Sequence, residues 1–530
     1  MERLAGSIML MSGWKRAVVA MAAGAFAVIA LPPFGFFAAM FVSFTLLVFL
    51  LDGASGKPGS PFVARLAPAF VIGWLFGFGY LVAGLWWMGN ALLVEAEDYA
   101  WALPLAMVGL PAGLALFYGL AGALARMFWL DGFGRIAALA FAFGLAEWLR
   151  SVLFTGFPWN AVGQGIMPFP LMMQSIRIVS ADGMNVIAVL IFASPALIAT
   201  KKSMGAGLAL AGMLLAAHLG FGAWSISRPM ATDAVQAPVI RLVQPVIDQA
   251  AKIGNEDRKT IFETHLALSR ERPKTGNRKP DYIIWPETAI PFILTENPAA
   301  LARIAEVLDD NQILIAGAVR SEDPGGGLAP RYYNSIYMID GTGQIIGAYD
   351  KVHLVPFGEY LPFEDVLDSF GLKAVAAMPG GFSAAARHGL LNAPDGRRFY
   401  PLVCYEIIFG QDITSDARDA DAIVNLTNDG WFGNTPGPWQ HFHQARLRAV
   451  ETGLPVIRNS NSGISSIISA TGETPAGLGF GIFGYVDLPL PPKASPILDS
   501  QERTFNFWLL EALSFLIAAY SRVGFIFFRN

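Results

Sequence analysis

Arg398-Phe399-Tyr400-Pro401-Leu402-Val403-Cys404-Tyr405-Glu406-Ile407-Ile408 holds the one cysteine of a 530-residue chain. The apolar run up to Val403 reads as a buried strand, with Cys404 at the turn that ends it and a carboxylate two residues further on. A free cysteine is by default a small buried hydrophobe. Two other stretches give it company. Ile283-Ile284-Trp285-Pro286-Glu287 and Ala348-Tyr349-Asp350-Lys351-Val352-His353-Leu354-Val355-Pro356-Phe357-Gly358-Glu359 each run from an apolar segment into a charged residue. Singly, Glu287 reads as an exposed strand-end carboxylate and Lys351 as a solvated surface charge. If all three segments are strands, a carboxylate, a cation and a thiol meet at one sheet edge, and a layered α/β domain is the expected setting.

The sequence around these stretches alternates strand and helix signals. Strands are expected over Val239–Val243, Tyr282–Trp285, Ile313–Val319, Asn334–Ile339, Ile345–Tyr349, Tyr400–Val403, Ala422–Leu426, Val456–Arg458 and Ile464–Ser469. Helices are expected over Asn255–Arg270, Ala299–Leu308 and Gln440–Glu451. Residues 226–504 have the mixed composition of a globular domain.

The rest of the chain is of another kind. The whole is 54% hydrophobic and 15% charged, with a mean hydropathy of +0.47, too apolar for an ordinary soluble protein. The excess lies in residues 1–225 and again in 505–530. A bilayer crossing takes about 20 apolar residues. Eight stretches read as spans: Ala17–Leu31, Phe36–Leu51, Ala67–Met88, Leu103–Ala125, Ile136–Leu149, Met184–Thr200, Gly205–Trp224 and Phe505–Phe528. The expected organisation is a seven-span bundle, a globular domain over 226–504 and a closing span over 505–530. Arg3, Lys15, Arg16, Lys57, Arg65, Arg126, Arg135, Lys201, Lys202 and Arg529 fall in alternate loops. Those loops and both termini are therefore expected in the cytoplasm, with the globular domain outside. Arg150 and Arg177 run against the scheme. Gly73, Gly77, Gly119 and Gly122 suit close helix packing, and Trp86 and Trp87 suit an interfacial belt. Gly156-Phe157-Pro158-Trp159-Asn160 reads as a re-entrant piece or a packed turn. A net charge of −4 gives no reason to expect a nucleic acid. One cysteine excludes an internal disulfide and a thiolate zinc site.

Trp285-Pro286-Glu287, Lys351 to Glu359 and Cys404-Tyr405-Glu406 together resemble the Glu-Lys-Cys set of the nitrilase, or carbon–nitrogen hydrolase, superfamily, in the same order. Asn425-Leu426-Thr427-Asn428-Asp429-Gly430-Trp431-Phe432 is similar to that superfamily's segment after the cysteine. With expected spans on both sides of the domain, the whole chain resembles the bacterial apolipoprotein N-acyltransferases. The resemblance implies an αββα sandwich, an inner-membrane location and a periplasmic catalytic domain. It also implies transfer of a fatty acyl chain from a phospholipid to the N-terminal amine of a diacylglyceryl-cysteine apolipoprotein, by way of a thioester on Cys404. Glu287 would be the general base and Lys351 the oxyanion partner, with a backbone N–H near Tyr405. Glu359 and Glu406 would support them, although a purely structural hydrogen-bonding role suits both. No cofactor, metal or nucleic acid is implied. Family members often carry a tryptophan where this chain has Ile253 after Lys252.

A membrane-tethered amidase or nitrilase that hydrolyses a small amide would use the same three residues, but it would not need eight spans. A non-catalytic scaffold would not need the intact set. A Cys-His pair with His353 or His441 has no recognisable signature around either histidine. Phe357–Gly381 is apolar enough to be packed core or a lid over the lipid path, and the lid is the expected role.

Overall fold

The computed structural model describes residues 1–228, 237–249, 258–274, 278–362, 381–413, 415–495 and 497–527. The chain forms two compact units. One comprises residues 1–89, 101–228 and 496–530, the other residues 90–100 and 229–495.

The second unit is built on two six-stranded sheets. The strands are β1 (Val239–Gln244), β2 (Tyr282–Ile284), β3 (Ile313–Glu322), β4 (Arg331–Ile339), β5 (Ile345–Asp350), β6 (Leu391–Asn392), β7 (Arg398–Val403), β8 (Ala422–Thr427), β9 (Val456–Ser460), β10 (Ser465–Ile468), β11 (Gly477–Leu478) and β12 (Gly484–Pro489). One sheet has the order β12-β1-β2-β3-β4-β5 and the other β11-β10-β9-β8-β7-β6. β1, β2 and β3 are parallel, and β5 returns to their direction through antiparallel β4. β7, β8 and β9 are parallel in the other sheet.

Ile240, Leu242, Ile284, Ile315, Ile336 and Met338 of the first sheet pack against Phe399, Val403, Val424, Leu426 and Ile457 of the second. The opposite face of the first sheet, with Val243, Ile283, Leu314 and Ala316, is covered by Phe262 and Leu266 of the helix Arg258–Arg270 and by Ala300 and Ile304 of Pro298–Ala305. A third helix, Pro436–Thr452, packs on β9 and β10. Its ends follow from local chemistry: Thr435 caps it, Pro436 opens it, and Gly453 at φ 73° ends it in the left-handed region. Helix, sheet, sheet and helix make the expected αββα sandwich. Arg241 on β1 is almost fully buried and meets Asp487 on β12 at 2.7 Å and 2.8 Å.

Seven helices among the described residues are long and apolar enough to cross a membrane: Gly13–Ala30, Phe62–Leu93, Ala96–Met127, Phe133–Thr155, Ile176–Thr200, Met204–Ser227 and Ser500–Arg522. Eight were expected. The stretch Phe36–Leu51 forms the helix Ala38–Asp52, only 15 residues long. That length is about 22 Å, short of the roughly 30 Å hydrocarbon layer. Its hydropathy comes from being wrapped by neighbouring helices, since Phe44 and Leu47 to Leu51 are fully buried. It still carries the chain back to where it began: Arg16 donates to the Leu50 carbonyl, Arg126 to that of Leu51, and Arg135 pairs with Asp52 at 2.9 Å.

Glycine lets the helices Phe62–Leu85 and Leu110–Met127 approach. A Cβ at Gly122 would stand 2.5 Å from the Ala69 carbonyl oxygen, and one at Gly77 would stand 2.7 Å from Tyr118 Cβ. Arg150, which counted against the charge scheme, is consumed inside the unit. It pairs with Glu147 and donates to the carbonyls of Phe157 and Trp159, and Tyr118 Oη donates to Glu147 at 2.6 Å. Gly156–Asn160 is thus a packed turn. Trp87 is buried against Trp159, with ring centroids 5.2 Å apart, and not exposed in a belt.

The expected strands are present, and β6, β11 and β12 are additional. Most of the apolar Phe357–Gly381 stretch, including Phe363, Leu367, Phe370 and Leu372, lies outside the described residues, as do Lys252 and Ile253.

Candidate active site

Glu287, Lys351 and Cys404 each follow the carboxyl end of a strand, β2, β5 and β7 respectively. This is the edge where α/β sheets present ligand sites. The apolar strand β7 ends at Cys404 because the backbone there turns into the left-handed region, φ 49°, and opens a short helical turn, Cys404–Ile408. A residue with a Cβ holds such a conformation at a cost of about 1–3 kcal/mol. Glu406 holds the turn. Its carboxylate accepts from the Val403 N–H at 2.7 Å, from Val352 N–H at 2.8 Å, from His353 N–H at 3.0 Å and from Tyr349 Oη at 3.1 Å. One side chain therefore fastens the cysteine turn to the two residues that follow Lys351. Tyr405 packs edge-on against Phe409 and His353 and walls the turn on one side.

Glu287 and Lys351 are not surface charges. Glu287 is 7% exposed and Lys351 1%. Lys351 Nζ lies 2.8 Å from Glu359 Oε2, and Glu359 also accepts from the Val355 N–H at 2.9 Å. Asn334, on β4, donates at 2.8 Å to Glu287 Oε1 and at 2.8 Å to Glu359 Oε1, so one amide spaces the two carboxylates. Burial pushes Glu287 up, partly offset by Lys351, and Glu287 hydrogen-bonds Cys404. Burial also pushes the Cys404 thiol up, the Glu287 charge adds to it, and Lys351 opposes it. Burial disfavours charge on Lys351, yet Glu359 and Glu287 outweigh it and hold the ammonium well above its ordinary range. The arrangement is a thiol beside a carboxyl group that hydrogen-bonds it, with a fixed cation next to both.

Sequence reasoning missed Asn334 and a second buried polar group beside the sulfur, from β8, β9 and the helix Pro436–Thr452. Thr427 ends β8 with Oγ1 3.2 Å from Cys404 Sγ. Asp429, two residues on, is fully buried; burial opposes its charge, but Arg458 and His441 pull its carboxyl down to about 2. Arg458 Nη2 stands 2.9 Å from Asp429 Oδ2, and His441 Nδ1 2.8 Å from Oδ1. His441 was set aside for want of a signature. Its ring nitrogens meet Asp429 and, at 3.2 Å, the Cys404 carbonyl, which also accepts from Asn425 Nδ2 at 3.3 Å. Only the likeness of the Asn425–Phe432 segment to a family pattern pointed here. Among the described residues no group of three or more His, Cys, Asp or Glu is gathered as for a metal ion.

Layered sheets with a buried Glu-Lys-Cys set at one edge lie on a chain that also carries span-length apolar helices. Residues 239–488 match the carbon-nitrogen hydrolase family, and residues 23–194 match the apolipoprotein N-acyltransferase N-terminal domain. The apolipoprotein N-acyltransferase of Rhizobium leguminosarum bv. trifolii (strain WSM2304) is 63% identical over 99% of both chains, and that of Rhizobium etli (strain CIAT 652) is 61% identical over 100% of both. A solved amidase from Nesterenkonia sp. is 19% identical over 50% of this chain and 94% of its own, with a TM-score of 0.34. The chain belongs to the apolipoprotein N-acyltransferase family and is an acyltransferase.

Proposed function

We propose that the enzyme moves a fatty acyl chain from a membrane phospholipid to the N-terminal amine of a diacylglyceryl-cysteine apolipoprotein, with Cys404 as the acyl carrier. Glu287 takes the thiol proton, and the sulfur attacks the ester carbonyl. The developing oxyanion is met by Lys351 Nζ and the Tyr405 N–H. Glu287 returns the proton to the departing alkoxide, a lysophospholipid leaves, and a thioester remains. The amine then attacks the thioester. Glu287 accepts the amine's proton, the amide forms, and the thiolate is expelled and reprotonated. Glu359 balances the charge of Lys351, Asn334 keeps Glu287 and Glu359 apart, and Glu406 holds the turn. The observation that carries the reading is the buried contact of Glu287 with the only thiol, beside a buried lysine that Glu359 and Glu287 hold charged against the cost of burial. Intact mass spectrometry after incubation with a defined phospholipid tests it. An adduct of one acyl chain is expected on the wild type and none on Cys404→Ala; an adduct on the mutant overturns it.

The same reading puts the catalytic unit in the periplasm and both termini in the cytoplasm. Supporting it, Arg16, Arg126 and Arg135 gather with Asp52 at one end of the helical unit, as a cytoplasmic face requires.

A further inference from the structure

Thr427 is fully buried and stands between two acceptors, Cys404 Sγ at 3.2 Å and Asp429 Oδ1 at 3.2 Å. A hydroxyl has one proton and gives it to one acceptor at a time. Asp429 does not depend on that proton, because His441 and Arg458 already hold its two oxygens. While the sulfur is a thiol it is a weak acceptor, and the hydroxyl gains more from the carboxylate. Once the sulfur is a thiolate, a charge-assisted hydrogen bond to it is the stronger choice, since His441 and Arg458 already serve Asp429.

We propose that Thr427 is a further catalytic residue of the acyl transfer, its hydroxyl turning from Asp429 to Cys404 Sγ whenever the sulfur carries charge. The proposal rests on Cys404 being the nucleophile. The hydroxyl keeps its own proton throughout; the thiol proton passes to Glu287, and Thr427 exchanges only its hydrogen-bond partner. A thiolate arises twice per turnover, before attack on the lipid ester and again when the amine expels it. One rotating hydroxyl therefore serves both half-reactions. In between, the thioester sulfur is a poor acceptor, and the hydroxyl returns to Asp429. The charges that face the sulfur are Glu287 beyond β2, Lys351 beyond β5 and Asp429 beyond β8. Glu359, Glu406, His441 and Arg458 stand behind them. Lys351 is the one cation in the first group, and a neutral donor from β8 adds stabilisation without taking part in the Lys351–Glu359 pair.

Because the chain has one cysteine, alkylation of the purified full-length enzyme reads the thiolate directly. The rate of carbamidomethylation by iodoacetamide is measured against pH for wild type, Thr427→Ser and Thr427→Val. In Thr427→Val the profile should move up by about one to two pH units, while Thr427→Ser should follow the wild type. An unchanged profile in Thr427→Val, or an equal displacement in Thr427→Ser, overturns the proposal. Thr427→Ala removes atoms without adding any, and is read in the same way should the valine variant not fold. Cys404→Ala keeps the two failures apart: retained acyl transfer in that variant sinks the nucleophile itself. A wild-type profile in Thr427→Val beside an inactive Cys404→Ala sinks Thr427 alone.

Discussion

Asn334 shows how much one uncharged side chain can decide. Its amide favours the ionised form of Glu287, and burial works against it. Replacing Asn334 by Ala therefore raises the Glu287 pKa further. A general base must be ionised to act, so the acid limb of acyl-enzyme formation should move up by about one pH unit, measured as thioester yield against pH. A limb that moves down would contradict the base role. The three residues at the centre of the candidate site stood out in the sequence because each closes an apolar run and the three follow the order of the family they resemble. Asn334 was not, because it lies inside β4 and faces the site only once β4 has paired with β5. His441 and Arg458 were hidden for the same reason. With Thr427 and Asp429 they come from β8, the turn after it, a helix and β9; the likeness of Asn425–Phe432 to the family pattern covered Thr427 and Asp429, but nothing along the chain tied His441 and Arg458 to them.

Whole elements are coupled through buried polar groups. Asn459 on β9 donates to the carbonyl of Val243 on β1 at 3.0 Å and of Ile284 on β2 at 2.8 Å, tying one sheet to the other. Asn459→Ala should cost about 1–3 kcal/mol for each stranded carbonyl, read as a lowered melting temperature of the catalytic unit. Arg458→Met should cost about 3–5 kcal/mol, because it leaves the Asp429 charge poorly compensated. The Asp429 carboxyl titrates lower folded than unfolded. Its contribution is thus fully present above about pH 4 and is lost as the pH falls towards 2. Acid unfolding of the wild type should steepen in that window, and Arg458→Met should show less of this steepening. Strand positions were readable from their apolar runs. β12 escaped because its merit is its partner: Gly484–Pro489 matters as the antiparallel neighbour of β1, from the opposite end of the domain. The helix Ala38–Asp52 deceived in the other direction, since full burial among helices and contact with lipid select the same residues.

For the molecule, the proposed orientation makes a plain prediction. A topology reporter fused near Ser55 or Gly132 should report cytoplasm, and one inserted near Gly325 should report the periplasm. The reverse at Gly325 would separate the enzyme from exported acceptors. The pairing of β1 with β12 also has a consequence in time. The ribosome makes the first strand of the catalytic unit long before the last. Until β12 emerges, β1 remains an open apolar edge, and Arg241 is left without Asp487. A chain that stalls before Gly484 is therefore not a nearly finished enzyme with a missing anchor. It is an unclosed sheet whose buried guanidinium lacks its carboxylate, and clearance by proteases, not partial activity, is its expected fate.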